Sequence, residues 1–195
     1  MVVRRLDPVQ PASFEFTPEN KAWAKEQLDK YPKGRESSVV VPLLWRAQKQ
    51  HRGWLSEPAI RYVAGFLSMS YIRVYEVATF YSMFSLSPVG EYFVQLCGTT
   101  PCWLRDTDTL KDACREVIGP ERAVSADGKF SWLEVECLGA CVNGPVVQIN
   151  DDYYEDLDGK KLTDILVALR QGQAVEPGPQ SGRHSSEPEP EEEKV

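Results

Sequence analysis

The residues best able to do chemistry in this chain are cysteines, four of which form two close pairs. Cys97 and Cys102 bracket CGTTPC, and Cys137 and Cys141 bracket CLGAC, with 34 residues between the pairs. Soft thiolate donors select zinc or iron–sulfur clusters over magnesium or calcium. Disulfides are a weaker reading: the opening MVVRRLDPVQPASF lacks the apolar run of an export signal, and five cysteines leave one thiol over. An iron–sulfur cluster is the first reading of the four sulfurs, and structural zinc, whose paired ligands are commonly two to four residues apart, is the second. Thiol–disulfide exchange comes third, because neither pair has the C-x-x-C spacing of thioredoxin-type catalysts. Cys114 stands apart: in TLKDACREVIG it shares a helical stripe with Leu110, Ala113, Val117 and Ile118, and reads as a small buried hydrophobe. His51 and His184 have no cysteine or carboxylate at ligand spacing, so a Rieske-type site is not expected.

Elements with alternating character must position these pairs. EYFVQL reads as a strand running into Cys97, residues 108–118 as a helix stopped by Gly119-Pro120, and FSWLEVE as a strand running into Cys137. VVQIN and YYEDL then flank Asn150-Asp151-Asp152 as a hairpin, and residues 161–170 form a closing helix. The order is βαβ followed by ββα, so the first two strands should be parallel and the hairpin should add antiparallel neighbours. Both pairs then fall at the carboxyl ends of parallel strands, where open sheets place their ligands. Cys102 is expected just before a helix N-terminus, whose N–H groups favour anionic sulfur. Gly98, Gly139 and Gly144 read either as turn formers or as places where amides approach the sulfurs. Trp103 reads either as a residue that excludes water or as exposed packing, and Pro145 is expected to fix the loop; Pro145 sits where thioredoxin-like folds often carry a cis-proline, although most X–Pro bonds are trans.

Upstream, residues 17–86 read as helical. Thr17 with Pro18 and Ser56 are capping positions, a second helix is expected from Pro42, and Ile60, Val63, Ala64 and Leu67 recur at helical spacing. Val74, Val77, Ala78, Tyr81 and Phe84 form a further stripe, read as packing with a partner groove as the minor alternative. The fold class is therefore α+β: a helical extension over 1–88, a thioredoxin-like domain over 89–172, and an acidic tail over 173–195. That tail, rich in Pro, Ser and Glu, is expected to be disordered.

A net charge of −7 with no clustered Lys and Arg argues against a nucleic-acid partner. No run approaches the roughly 18 apolar residues that span a bilayer, so direct membrane insertion is not expected. Neither G-x-G-x-x-G nor G-x-x-x-x-G-K-[ST] occurs, so the chain is not expected to bind a dinucleotide by itself.

Taken together, VYEVATFYSMF, EYFVQLCGTTPC and ECLGACVNGPVVQINDDYYEDL, in this order, resemble the family of small thioredoxin-like [2Fe–2S] ferredoxin subunits of the NADH-oxidising module of respiratory complex I. The resemblance spans about residues 14–172. It implies one [2Fe–2S] cluster on Cys97, Cys102, Cys137 and Cys141. It also implies a partner flavoprotein subunit that binds FMN and NADH, further iron–sulfur subunits, and a role as one-electron carrier within an NADH:quinone oxidoreductase. Related subunits of NAD-linked hydrogenases and formate dehydrogenases share the motif. The implied location is cytoplasmic, peripheral on the inner face of the membrane, or the matrix side for a processed mitochondrial form.

Overall fold

The computed structural model describes residues 4–187, and the chain divides into two compact units at Val89 and Gly90. The first unit is helical. Helix α1 (Pro18–Leu28) starts where Thr17 Oγ1 accepts from the Asn20 amide at 3.2 Å, with Pro18 at the first helical position. A 3₁₀ turn (Glu36–Val39) leads into α2 (Val40–Gln50), two residues earlier than the Pro42 start expected from sequence. The preceding turn already sets helical geometry, so Val39 and Val40 are buried with Leu43, Leu44 and Ala47. Ser56 caps α3 (Glu57–Phe66), its Oγ accepting from the Ala59 amide at 3.4 Å.

Helix α4 (Tyr71–Phe80) is shorter than its stripe: Tyr81 takes an extended backbone and is exposed, while Phe84 returns to the core through the following turn. Phe84, Leu55, Ile60, Val63 and Val74 are buried together, with Phe14, Phe16 and Tyr62 in edge-to-face contacts beside them.

The second unit is a five-stranded sheet ordered β2-β1-β3-β4-β5. Strands β1 (Tyr92–Cys97) and β2 (Phe130–Val135) pair in parallel across α5 (Thr100–Trp103) and α6 (Thr107–Val117). Strand β3 (Val147–Ile149) is antiparallel to both β1 and β4 (Asp152–Glu155), which is the hairpin read from Asn150-Asp151. Asn150 adopts φ 56°, and its side-chain amide bridges the Phe93 N–H and the Glu91 carbonyl. Helix α7 (Gly159–Arg170) follows, capped by Asp158. Residues of α6 (Leu110, Ala113, Cys114) and of α7 (Leu162, Ile165, Leu166) pack with Val94, Leu96, Phe130, Trp132 and Val147 into one core. Cys114 is fully buried there, and burial pushes its thiol up to about 12.

The tail departs from expectation. Residues 178–179 form β5, parallel to β4, and residues 180–187 continue in contact with the sheet unit, contrary to the disorder expected from residue 173 onward. The composition misled because the anchoring is by hydrogen bonds rather than apolar burial; residues 188–195 lie outside the described residues.

Candidate metal centre

The parallel pairing of β1 with β2 brings the two cysteine loops side by side. Cys97 is the last residue of β1, where its amide donates to the Val146 carbonyl at 3.2 Å and its carbonyl accepts from Thr107 Oγ1 at 3.2 Å. Cys102 lies in the single turn of α5, ahead of α6 as the sequence predicts, and the Val146 amide is directed at its sulfur. Both thiols are buried. Cys137 follows β2, and Cys141 opens a 3₁₀ turn (Cys141–Asn143); both are exposed, with their sulfurs 3.5 Å apart.

Hydrogen-bond donors surround the sulfurs. Thr99 Oγ1 lies 3.3 Å from Cys97 Sγ, and the Gly139 amide donates to Cys137 Sγ at 3.3 Å. Burial would raise the Cys97 thiol, but the Thr99 hydroxyl, the Thr99 and Leu138 amides and the neighbouring Cys102 thiol together hold it below the ordinary range. Burial and the competing Cys97 thiol push Cys102 up to about 12 even though the Val146 amide opposes this. Cys141 is raised chiefly by its hydrogen bond with Cys137. The opposed shifts of Cys97 and Cys102 mean that Cys97 ionises more readily than its buried neighbour.

The three glycines have separate reasons. Gly139 has φ +84°, open to glycine at no steric cost, and this aims its N–H at Cys137. Gly144 leaves room beside a buried thiol: a Cβ there would sit 3.1 Å from Cys102 Sγ. Gly98 serves the sheet, its amide donating to the Val135 carbonyl at 3.2 Å while a Cβ would strike the Glu134 carboxylate. Pro145 is buried after a cis Gly144–Pro145 bond, and its carbonyl accepts from the Leu157 amide at 3.2 Å.

Trp103 is 56% exposed, which matches exposed packing rather than a water-excluding cover. Sequence reasoning missed Tyr153, whose hydroxyl donates to the Leu138 carbonyl at 2.7 Å and so braces the second loop from β4. Its place in the hairpin was legible, its reach was not. His51 lies in the helical unit, with Nδ1 3.1 Å from the Trp54 carbonyl, and His184 meets the site only through its backbone carbonyl, which accepts from Asn143.

Among the described residues no three His, Cys, Asp or Glu side chains converge on a single point as a metal cage. The thiols instead form two neighbouring pairs, each with its own hydrogen-bond donors. Four thiolates suit zinc or an iron–sulfur cluster by their softness. A [2Fe–2S] cluster distributes four thiolates over two irons, and backbone N–H···S contacts of the kind present here favour its anionic sulfur. The donor set fits the cluster.

A family model, thioredoxin-like [2Fe–2S] ferredoxin, matches residues 24–170. The chain is 53% identical over 159 residues to the E subunit of the NADH-quinone oxidoreductase of Rickettsia bellii (strain RML369-C), covering 81% of this chain and 95% of that one. It is 51% identical over 194 residues to the first E subunit of the NADH-quinone oxidoreductase of Rhizobium meliloti (strain 1021), covering 96% of this chain and 70% of that one. Among solved structures it resembles an NAD⁺-reducing [NiFe]-hydrogenase in fold, with a TM-score of 0.58 at 19% identity, over 69% of this chain and 23% of that chain. With that family match over most of its length and relatives sharing half its residues, this chain belongs to the thioredoxin-like [2Fe–2S] ferredoxin family.

Proposed function

We propose that Cys97, Cys102, Cys137 and Cys141 hold one [2Fe–2S] cluster, and that the chain is the electron-carrying subunit of an NADH:quinone oxidoreductase. The observation that carries the reading is the meeting of two thiol pairs at adjacent strand ends, with amide and hydroxyl donors directed at the sulfurs. The relatives at about half identity are named as subunits of NADH-quinone oxidoreductase, which favours that complex over the hydrogenase whose likeness is one of fold.

When bound, such a cluster accepts and releases one electron at a time, which suits exchange with a two-electron flavin. The chain's own residues supply position and electrostatics. Strand β1 and the Thr107 hydroxyl fix the backbone at Cys97, and Gly144 keeps space beside Cys102. The Thr99 hydroxyl and the Leu138, Gly139 and Val146 amides offset negative charge on the sulfurs. Exposure of Cys137 and Cys141 leaves one side of the site open to a partner. The partner in this reading is a flavoprotein subunit holding FMN and NADH, with further iron–sulfur subunits beyond it. No described helix is long and apolar enough to cross a membrane, so attachment to the inner face of the membrane would run through the complex.

The test is co-purification of the full chain with its complex, followed by removal of this subunit alone. Electron flow from NADH to quinone should stop and return when the cluster-loaded chain is added back. Undiminished NADH-dependent quinone reduction without the subunit would overturn the assignment.

A further inference from the structure

We propose that residues 174–187 act as a strap that positions the exposed cysteine loop, with Asn143, Glu155, Arg183 and Ser186 as positioning residues. This inference rests on the cluster reading above. Its starting point is a buried carboxylate that the proposed chemistry does not use. Glu155, at the end of β4, is 1% exposed. A buried carboxylate without donors is costly, so its partners identify what the fold has arranged around it.

Those partners come from the cysteine loop and from the strap. Asn143 Nδ2 donates to Glu155 Oε2 at 2.7 Å, and Asn143 lies two residues beyond Cys141 and one before Gly144. From the strap, the Ser186 amide donates to the same oxygen at 3.1 Å and the Ser186 hydroxyl donates to Oε1. The strap also meets the loop directly: Asn143 Nδ2 donates to the His184 carbonyl at 2.7 Å, and Arg183 donates to the Val142 carbonyl at 3.3 Å. Asp156 completes the link, since its amide donates to the Asn143 carbonyl at 2.8 Å while its carboxylate accepts from Ser181 at 2.6 Å and Arg183 at 3.3 Å. The strap is itself registered by β5 on β4 and by the Gln180 amide on the Glu155 carbonyl at 2.9 Å.

Each contact ends on Val142, Asn143, or the two acidic residues that hold Asn143. These residues join Cys141 to the Gly144–Val146 stretch, whose last amide points at Cys102. Between Cys137 and Cys141 the one buried side chain is that of the small Ala140, so polar ties carry much of the loop's geometry. Partners of metal ligands fix ligand orientation, and their loss typically costs about 10- to 100-fold in metal affinity.

The test compares three cluster-reconstituted chains: the full chain, one ending at Glu187 and one ending at Gln173. Iron loss to a strong chelator and the visible circular dichroism of the cluster are followed, with hydrogen exchange of amides 138–146 in the cluster-free forms. The chain ending at Glu187 should match the full chain. The chain ending at Gln173 should lose iron about 10-fold faster, with altered dichroism and faster exchange in that loop, while β1 and β2 remain protected. Should that truncation fail to fold, Arg183→Ala with Ser186→Ala in the full chain should show the same changes, and Ser186→Thr should preserve the native behaviour. Unchanged iron loss and loop exchange in the truncated chain, or in the double variant, would overturn the proposal. A full chain that takes up no cluster would defeat the cluster reading instead, and loop exchange would still decide the strap.

Discussion

The two cysteine loops reach the same place by different physical routes. The Cys97–Cys102 loop grows out of β1, its sulfurs are buried, and neighbouring core residues such as Leu96 and Leu110 hold its ends. The Cys137–Cys141 loop lies mostly on the surface, with only Ala140 buried; Tyr153 braces it, and the Val142–Asn143 stretch that follows is tied to Arg183 and His184. One half of the site is therefore built with the core, the other is tied down after it. A buried, preorganised pair resists distortion because core packing tolerates little displacement, whereas a polar-tied pair can be loosened locally.

The largest effect should come from breaking the packed side. Trp132, 1% exposed, lies on β2 with Nε1 donating to the Gly119 carbonyl at 2.8 Å. Trp132→Ala should cost about 3–5 kcal/mol in denaturant unfolding of the sheet unit, and cluster uptake should fall with it because the register of β2 against β1 places both loops. Removing a single sulfur leaves the fold in place. Cys97→Ala, Cys102→Ala, Cys137→Ala or Cys141→Ala should each abolish the visible absorption of the reconstituted chain, whereas Cys114→Ala should keep it.

Thiol chemistry of the cluster-free chain sharpens the contrast between the loops. The exposed Cys137 and Cys141 should alkylate first, Cys97 more slowly, and Cys102 and Cys114 last, since a thiol pushed to about 12 by burial stays protonated from neutral to mildly alkaline pH. Mass spectrometry of timed iodoacetamide quenches reads this order directly, and early labelling of Cys114 would contradict its placement. A smaller effect is expected at Thr99: Thr99→Val deletes the hydroxyl beside Cys97 Sγ, so the midpoint potential should move to a more negative value while iron content stays the same. The smallest is Trp103→Ala, which should leave stability within about 0.5 kcal/mol because the ring is largely exposed.

The same division explains what the sequence made legible. Thr17 with Pro18, Ser56, the Leu110–Cys114–Ile118 stripe and the βαβ order all rest on local periodicity and capping, and each appears where those rules place it. The pairing of the cysteine loops followed from that order. Whatever depended on distant polar contacts was hidden. Glu155 in YYEDL reads as an ordinary alternating strand residue, and nothing local announces that it is buried beneath Ser186. The tail from residue 173 has a disordered composition because it packs almost no apolar surface, yet Gly178–Pro179 pair with β4. Tyr81 lies just beyond α4, which ends at Phe80, and Trp103 stays exposed although Cys102 beside it in the same short turn is buried.

Four cysteines in two loops are proposed to hold one redox cluster. The most direct measurement is iron, acid-labile sulfide and zinc content of the anaerobically purified chain, together with low-temperature EPR after dithionite reduction. About two irons and two sulfides per chain are expected, with a spin-half signal from the reduced [2Fe–2S] centre and retention of both in Cys114→Ala. About one zinc in a colourless, EPR-silent chain would contradict the cluster reading.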